Sequence, residues 1–91
     1  MGISENSISE NLKSGVLHDL SMNENYLKNL INGSKKADII FNDRDFQVGD
    51  CIRYRQIEYN ETHFYYFKIT HIHSGYGLKN GYICVSLEMA I

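Results

Sequence analysis

The spacing of apolar positions changes twice along the chain, and each change marks the border of a structural element. Val16-Leu17-His18-Asp19-Leu20 has the length and composition of a short strand. Ser21-Met22-Asn23-Glu24 then has the form of a capping box, and Tyr26, Leu27, Leu30 and Ile31 follow on one face at helical spacing. Gly33 stands where a left-handed residue stops a helix. From Lys36 onward the period becomes two, which predicts strands over 36–41, 51–58, 63–73 and 82–88. Turn signals at Asn42-Asp43, Asn60-Glu61, Ser74-Gly75 and Asn80-Gly81 separate them, and no proline interrupts any of them. In the long third run Phe67 and Ile69 share a face while Ile72, which also reads as buried, falls on the other; a β-bulge near Thr70 and His71 would reconcile them. One helix laid on a small, mostly antiparallel β-barrel of about five strands follows: an α+β domain, mainly β.

Residues 1–16 lack this patterning. They are rich in Ser, Asn and Glu, and Ser7-Ile8-Ser9-Glu10 is a second capping pattern. They read as a flexible or loosely helical arm ahead of a domain spanning 17–91. Between the second and third predicted strands lies Asn42-Asp43-Arg44-Asp45-Phe46-Gln47-Val48-Gly49-Asp50, with four charged side chains in nine residues. Phe46 and Val48 are the expected anchors of this loop, Gly49 can supply a positive φ, and Asp50 can accept hydrogen bonds from the backbone of the turn.

Ninety-one residues make one modest core. With 43% apolar residues and a net charge of −2, the chain folds, and its overall field would not attract nucleic acid. Binding to RNA or DNA would have to come from a local patch. Cys51 and Cys84 lie far apart, outside any metal or redox spacing, and read as reduced thiols of a cytoplasmic protein. No apolar run is long enough to span a membrane. His71 and His73 alone do not make a zinc site, so neither a metal nor a cofactor is expected. There is no Gly-x-Ser-x-Gly elbow, and Gly75-Tyr76-Gly77 is too short for a phosphate loop. Of the seven tyrosines, most are expected in the barrel wall, where strands favour aromatics, while Tyr76 sits in a Gly-flanked loop open to a ligand.

The element order, together with His18-Asp19-Leu20, Gly33-Ser34-Lys35, the loop 42–50, Ile69-Thr70-His71-Ile72 and Ser74-Gly75-Tyr76-Gly77-Leu78, resembles the ASCH domains of the PUA-like superfamily. The group most similar is the short, uncharacterised ASCH-like proteins of phages, mobile elements and bacteria. The resemblance covers residues 17–88 and implies a PUA-like barrel with an RNA-associated role. Some small ASCH proteins are amidohydrolases of N4-acylated cytidine that use a Lys of the Gly-x-Lys segment, a Thr three residues later and a Glu from a further helix. Lys35 keeps the first position, Asp38 stands where the Thr would be, Ile40 replaces an Arg, and the insertion carrying the Glu has no counterpart. That catalytic set does not transfer. The expectation is a module that binds RNA or a nucleotide-like ligand in a cleft between the helix end and the adjoining loops. Lys35 and Lys36 would meet phosphate or carbonyl, Arg44 would give directed hydrogen bonds, Asp38 would accept from an amine and Tyr76 would stack. Two alternatives stand beside it: an amidohydrolase acting on a modified nucleoside through Lys35 and Asp38, and a protein-interaction module of a mobile element.

Overall fold

The computed structural model describes residues 15–90, so the capping pattern at Ser7-Glu10 and nearly all of the arm lie outside the described residues. Six elements follow in order: β1 (Leu17–Ser21), α1 (Glu24–Asn32), β2 (Ala37–Phe41), β3 (Cys51–Glu58), β4 (Glu61–Ser74) and β5 (Tyr82–Met89). The strands form one curled half-barrel sheet in the order β1-β3-β4-β5-β2. Only the β1–β3 pair is parallel. The first two strands in sequence are therefore the two edges of the sheet, and α1 is the connection between them.

The core forms where alternate strand residues turn inward: Ile52 and Tyr54 from β3, Phe67 and Ile69 from β4, and Ile83, Val85 and Leu87 from β5. Helix α1 adds Leu27 and Leu30, one turn apart. Its start differs from the sequence expectation. Ser21 is the last residue of β1, and the cap is Asn23, whose side chain accepts from the Asn25 N–H. Both Ser21 and Asn23 are good caps, and the strand claims the first of them. Tyr26 is exposed and Ile31 half-buried, so the buried stripe is narrower than the pattern suggested. Gly33 ends the helix at φ 84°, and its N–H donates to the Leu30 carbonyl.

The bulge falls between Ile69 and His71. It leaves Thr70 unpaired in the register, so Ile72 packs against the core while His71 and His73 share the outer face. The β3–β4 hairpin turns on Tyr59 and Asn60, with φ of 51° and 62°, one residue earlier than the Asn60-Glu61 signal. A two-residue turn matching the twist of its strands needs positive φ at both central positions.

The loop 42–50 is fastened by Phe46, which is buried and stacks against His18 with centroids 4.4 Å apart. Val48 is 58% exposed and is no anchor. Polar groups make the second fastening. Asp50 is buried, and its carboxylate accepts from the Val16 N–H (3.0 Å), the Gln47 N–H (3.0 Å) and His18 Nε2 (2.7 Å). Burial opposes ionisation of Asp50, but these three donors, His18 foremost, outweigh it and hold the carboxyl below its ordinary range. An ionised carboxylate only accepts, so His18 donates through Nε2. The chain before β1 crosses this loop so closely that a Cβ at Gly15 would lie 2.2 Å from the Gly49 carbonyl oxygen.

Candidate functional site

A depression of about 940 Å³ opens where the two edge strands approach α1. Ser21 closes β1 on one side, Met22, Asn23 and Tyr26 follow from the start of α1, and the loop after the helix brings Ser34, Lys35 and Lys36 to the opposite rim. The exit of that loop is set by the helix terminus: the Lys35 N–H donates to the Asn29 carbonyl, and the Ser34 N–H donates to Asn32 Oδ1. Asp38, on β2, is the carboxylate of the cavity wall.

Asp38 is held rather than free. Tyr54, on β3 and buried in the core, sends its hydroxyl to Asp38 Oδ2 at 3.1 Å. The Ile39 N–H donates to Oδ1 at 3.0 Å, and Lys35 Nζ stands 3.6 Å from the same oxygen. Burial, the negative charge of Asp38 and the bond to it push the Tyr54 hydroxyl well above its ordinary value. Tyr54 therefore stays protonated and acts as a donor. Its OH ties β3, the neighbour of one sheet edge, to β2, the other edge. Lys35 also lies over the Tyr26 ring, 4.9 Å from its centroid. Lys36 is exposed and lines the cavity with no side-chain partner among the described residues.

A model of a domain of unknown function, DUF3850, matches residues 17–87. The chain belongs to the DUF3850 family. No curated protein matches it. The matched segment runs from the first residue of β1 into β5, so it takes in every residue that lines the cavity.

Of the five residues singled out in the sequence, this DUF3850 domain brings Lys35, Lys36 and Asp38 together and sets the other two apart. Arg44 is not in the cavity wall. Its Nε donates to Asp43 Oδ1 and its Nη1 to the Asp19 carbonyl, each at 3.0 Å, and its guanidinium lies over the Phe46 ring. These contacts fasten the loop 42–50 to β1. Tyr76 is 95% exposed at the β4–β5 turn, and its carbonyl accepts from His73 Nε2. Sequence reasoning missed Tyr54 as the partner of Asp38, because alternation places Tyr54 in the barrel wall without saying where its hydroxyl ends. Cys84 also borders the cavity as a half-buried free thiol, whereas Cys51 is buried, which pushes its thiol pKa up. Among the described residues, no three His, Cys, Asp or Glu side chains cluster as metal ligands, and no helix is long and apolar enough to cross a membrane.

Proposed function

We propose that this domain is an ASCH-type, PUA-like module that binds RNA or a nucleotide-like ligand in the cavity between α1, the lysine loop and β2. The observation that supports it best is the pairing of two adjacent lysines with a fixed acceptor in one open cavity. Lys36 is free to meet a phosphate, and Lys35 can leave its long 3.6 Å contact with Asp38 at little cost. Asp38, oriented by Tyr54 and the Ile39 N–H, retains acceptor capacity for an exocyclic amine. At a net charge of −2 the molecule offers no general attraction to nucleic acid, so recognition is local and cytoplasmic RNA is bound weakly through few phosphates.

Two other readings each have one supporting observation. Lys35 and Asp38 share the cavity, as a hydrolase of a modified nucleoside would need, although the oxygens of Asp38 are already engaged. The edge strand β2 bears exposed Ile39 and Phe41, as a protein-interaction module would. Fluorescence titration with cytidine monophosphate, N4-acetylcytidine and short single-stranded RNA separates the three. The ligand reading expects saturable binding that Lys35→Ala with Lys36→Ala weakens while circular dichroism stays unchanged. Turnover of N4-acetylcytidine favours the hydrolase. No binding of any of the three up to millimolar concentration overturns the ligand reading.

A further inference from the structure

A second constellation lies on the outer face of the sheet, where β1, β3 and β4 run side by side. The register sets Ser21 opposite Arg55 and Arg55 opposite Phe64 in one row. The adjacent row is Asp19, Arg53 and Tyr66. Arg53 is fully committed. Its Nε donates to the Asp19 carboxylate, and its guanidinium lies 4.8 Å from the centroid of the Phe64 ring. Arg55 is the opposite case: it is exposed, and no carboxylate among the described residues pairs with it. Phe64, near the hairpin end of β4, is 46% exposed.

Together with Leu20, these side chains of β1, β3 and β4 enclose a depression of about 370 Å³ lined by Asp19, Leu20, Ser21, Arg53, Arg55 and Phe64. Ser21 also lines the large cavity. Both depressions therefore border the C-terminal end of β1. A cation stacked on Phe64 accounts for Arg53 as a device that covers an exposed ring. It does not account for Arg55, an unpaired guanidinium beside a hydroxyl and the part of the Phe64 ring that stays exposed. That combination matches a phosphodiester next to a base, because a guanidinium fork fits phosphate geometry and an aromatic face accepts any base.

We propose that this face is the track for the adjoining nucleotide of a single-stranded nucleic acid, with Arg55 on the phosphate, Phe64 under the base and Ser21 at the junction with the cavity. The proposal rests on the nucleotide reading of that cavity, and its test keeps the two apart. Affinities of a uridine or cytidine mononucleotide and of the matching tetranucleotide are measured for the full chain and for Arg55→Ala with Phe64→Leu, both solvent-facing changes. The wild type is expected to bind the tetranucleotide about 10-fold or more tighter than the mononucleotide, the scale of one stacked base. The double change removes that gain, lowers the salt slope by about 0.7 and leaves mononucleotide affinity unaltered. If the mononucleotide fails to bind while the tetranucleotide binds through Arg55 and Phe64, the cavity reading fails and the track stands. Equal affinity for the two ligands, undiminished tetranucleotide binding by the double variant, or no binding of either overturns the track.

Discussion

Replacing Asp50 by alanine tests how the loop 42–50 is held. The carboxylate accepts three hydrogen bonds, from His18 Nε2 and the N–H groups of Val16 and Gln47, and it is 3% exposed. Hydrogen bonds to a charged group are each worth about 1.5–3 kcal/mol, but the two backbone donors are only partly buried and recruit water once the carboxylate is gone. His18 is buried, so its ring would lose a buried partner. The expected loss is therefore about 3–5 kcal/mol, as for one partner removed from a buried pair. A domain of this size has about 5–15 kcal/mol in all, so Asp50→Ala should be marginal, and Asp50→Asn, which keeps an acceptor, should cost less. Urea unfolding followed by far-ultraviolet circular dichroism reads the difference. The same bonds set a pH dependence. Because the folded carboxyl has a lowered pKa, the unfolded chain binds more protons between the folded and unfolded values. The contribution is full above the ordinary carboxylate range, near pH 4, and is lost as pH falls through the lower folded value. A cost below about 1 kcal/mol for Asp50→Ala, in the range of ordinary surface changes, would refute the reasoning.

Three further outcomes follow from the packing. Phe46→Ala should cost about 3–5 kcal/mol, as expected for a buried aromatic, whereas Val48→Ala should stay within about 0.5 kcal/mol; equal midpoints in urea would contradict both assignments. Tyr54→Phe should destabilise by about 1 kcal/mol through loss of its bond to Asp38, and should also weaken ligand binding because Asp38 loses its orientation; unchanged stability and affinity together would show that the hydroxyl positions nothing. Gly15→Ala should destabilise by more than a surface change, since its Cβ meets the Gly49 backbone rather than a side chain that can move; a neutral result in the same urea assay would show that the chain before β1 does not pack as described.

The fold was legible where local pattern and tertiary structure demand the same thing. Alternation gave the strands to within one or two residues at most ends, Gly33 ended the helix as its freedom at positive φ requires, and the mismatch between Ile69 and Ile72 located the bulge. Alternation failed at Val48, because a residue inside a turn obeys the turn and not the strand beyond it. The capping pattern misplaced the helix start, where Ser21 could serve either element and the β1–β3 pairing decided. For the candidate site, the cluster Lys35, Lys36 and Asp38 could be read from its adjacency along the chain. Arg44 could not: its partners are a backbone carbonyl 25 residues earlier and the acid beside it, and sequence spacing carries no sign of the first. Likewise Tyr54 and Asp38 meet across the breadth of the sheet, and Arg55 and Phe64 become neighbours only through strand register. Side chains drawn together by sheet topology leave no periodic trace.

The most direct measurement is a two-dimensional amide NMR titration of the isotopically labelled chain with cytidine monophosphate. The account predicts saturable shifts confined to Ser21, Met22, Asn23, residues 34–39 and Cys84, with Tyr76 and the loop 42–50 unmoved. Shifts centred instead on Tyr76 or on Phe41 would contradict a ligand site in the cavity, and so would no shifts at millimolar nucleotide.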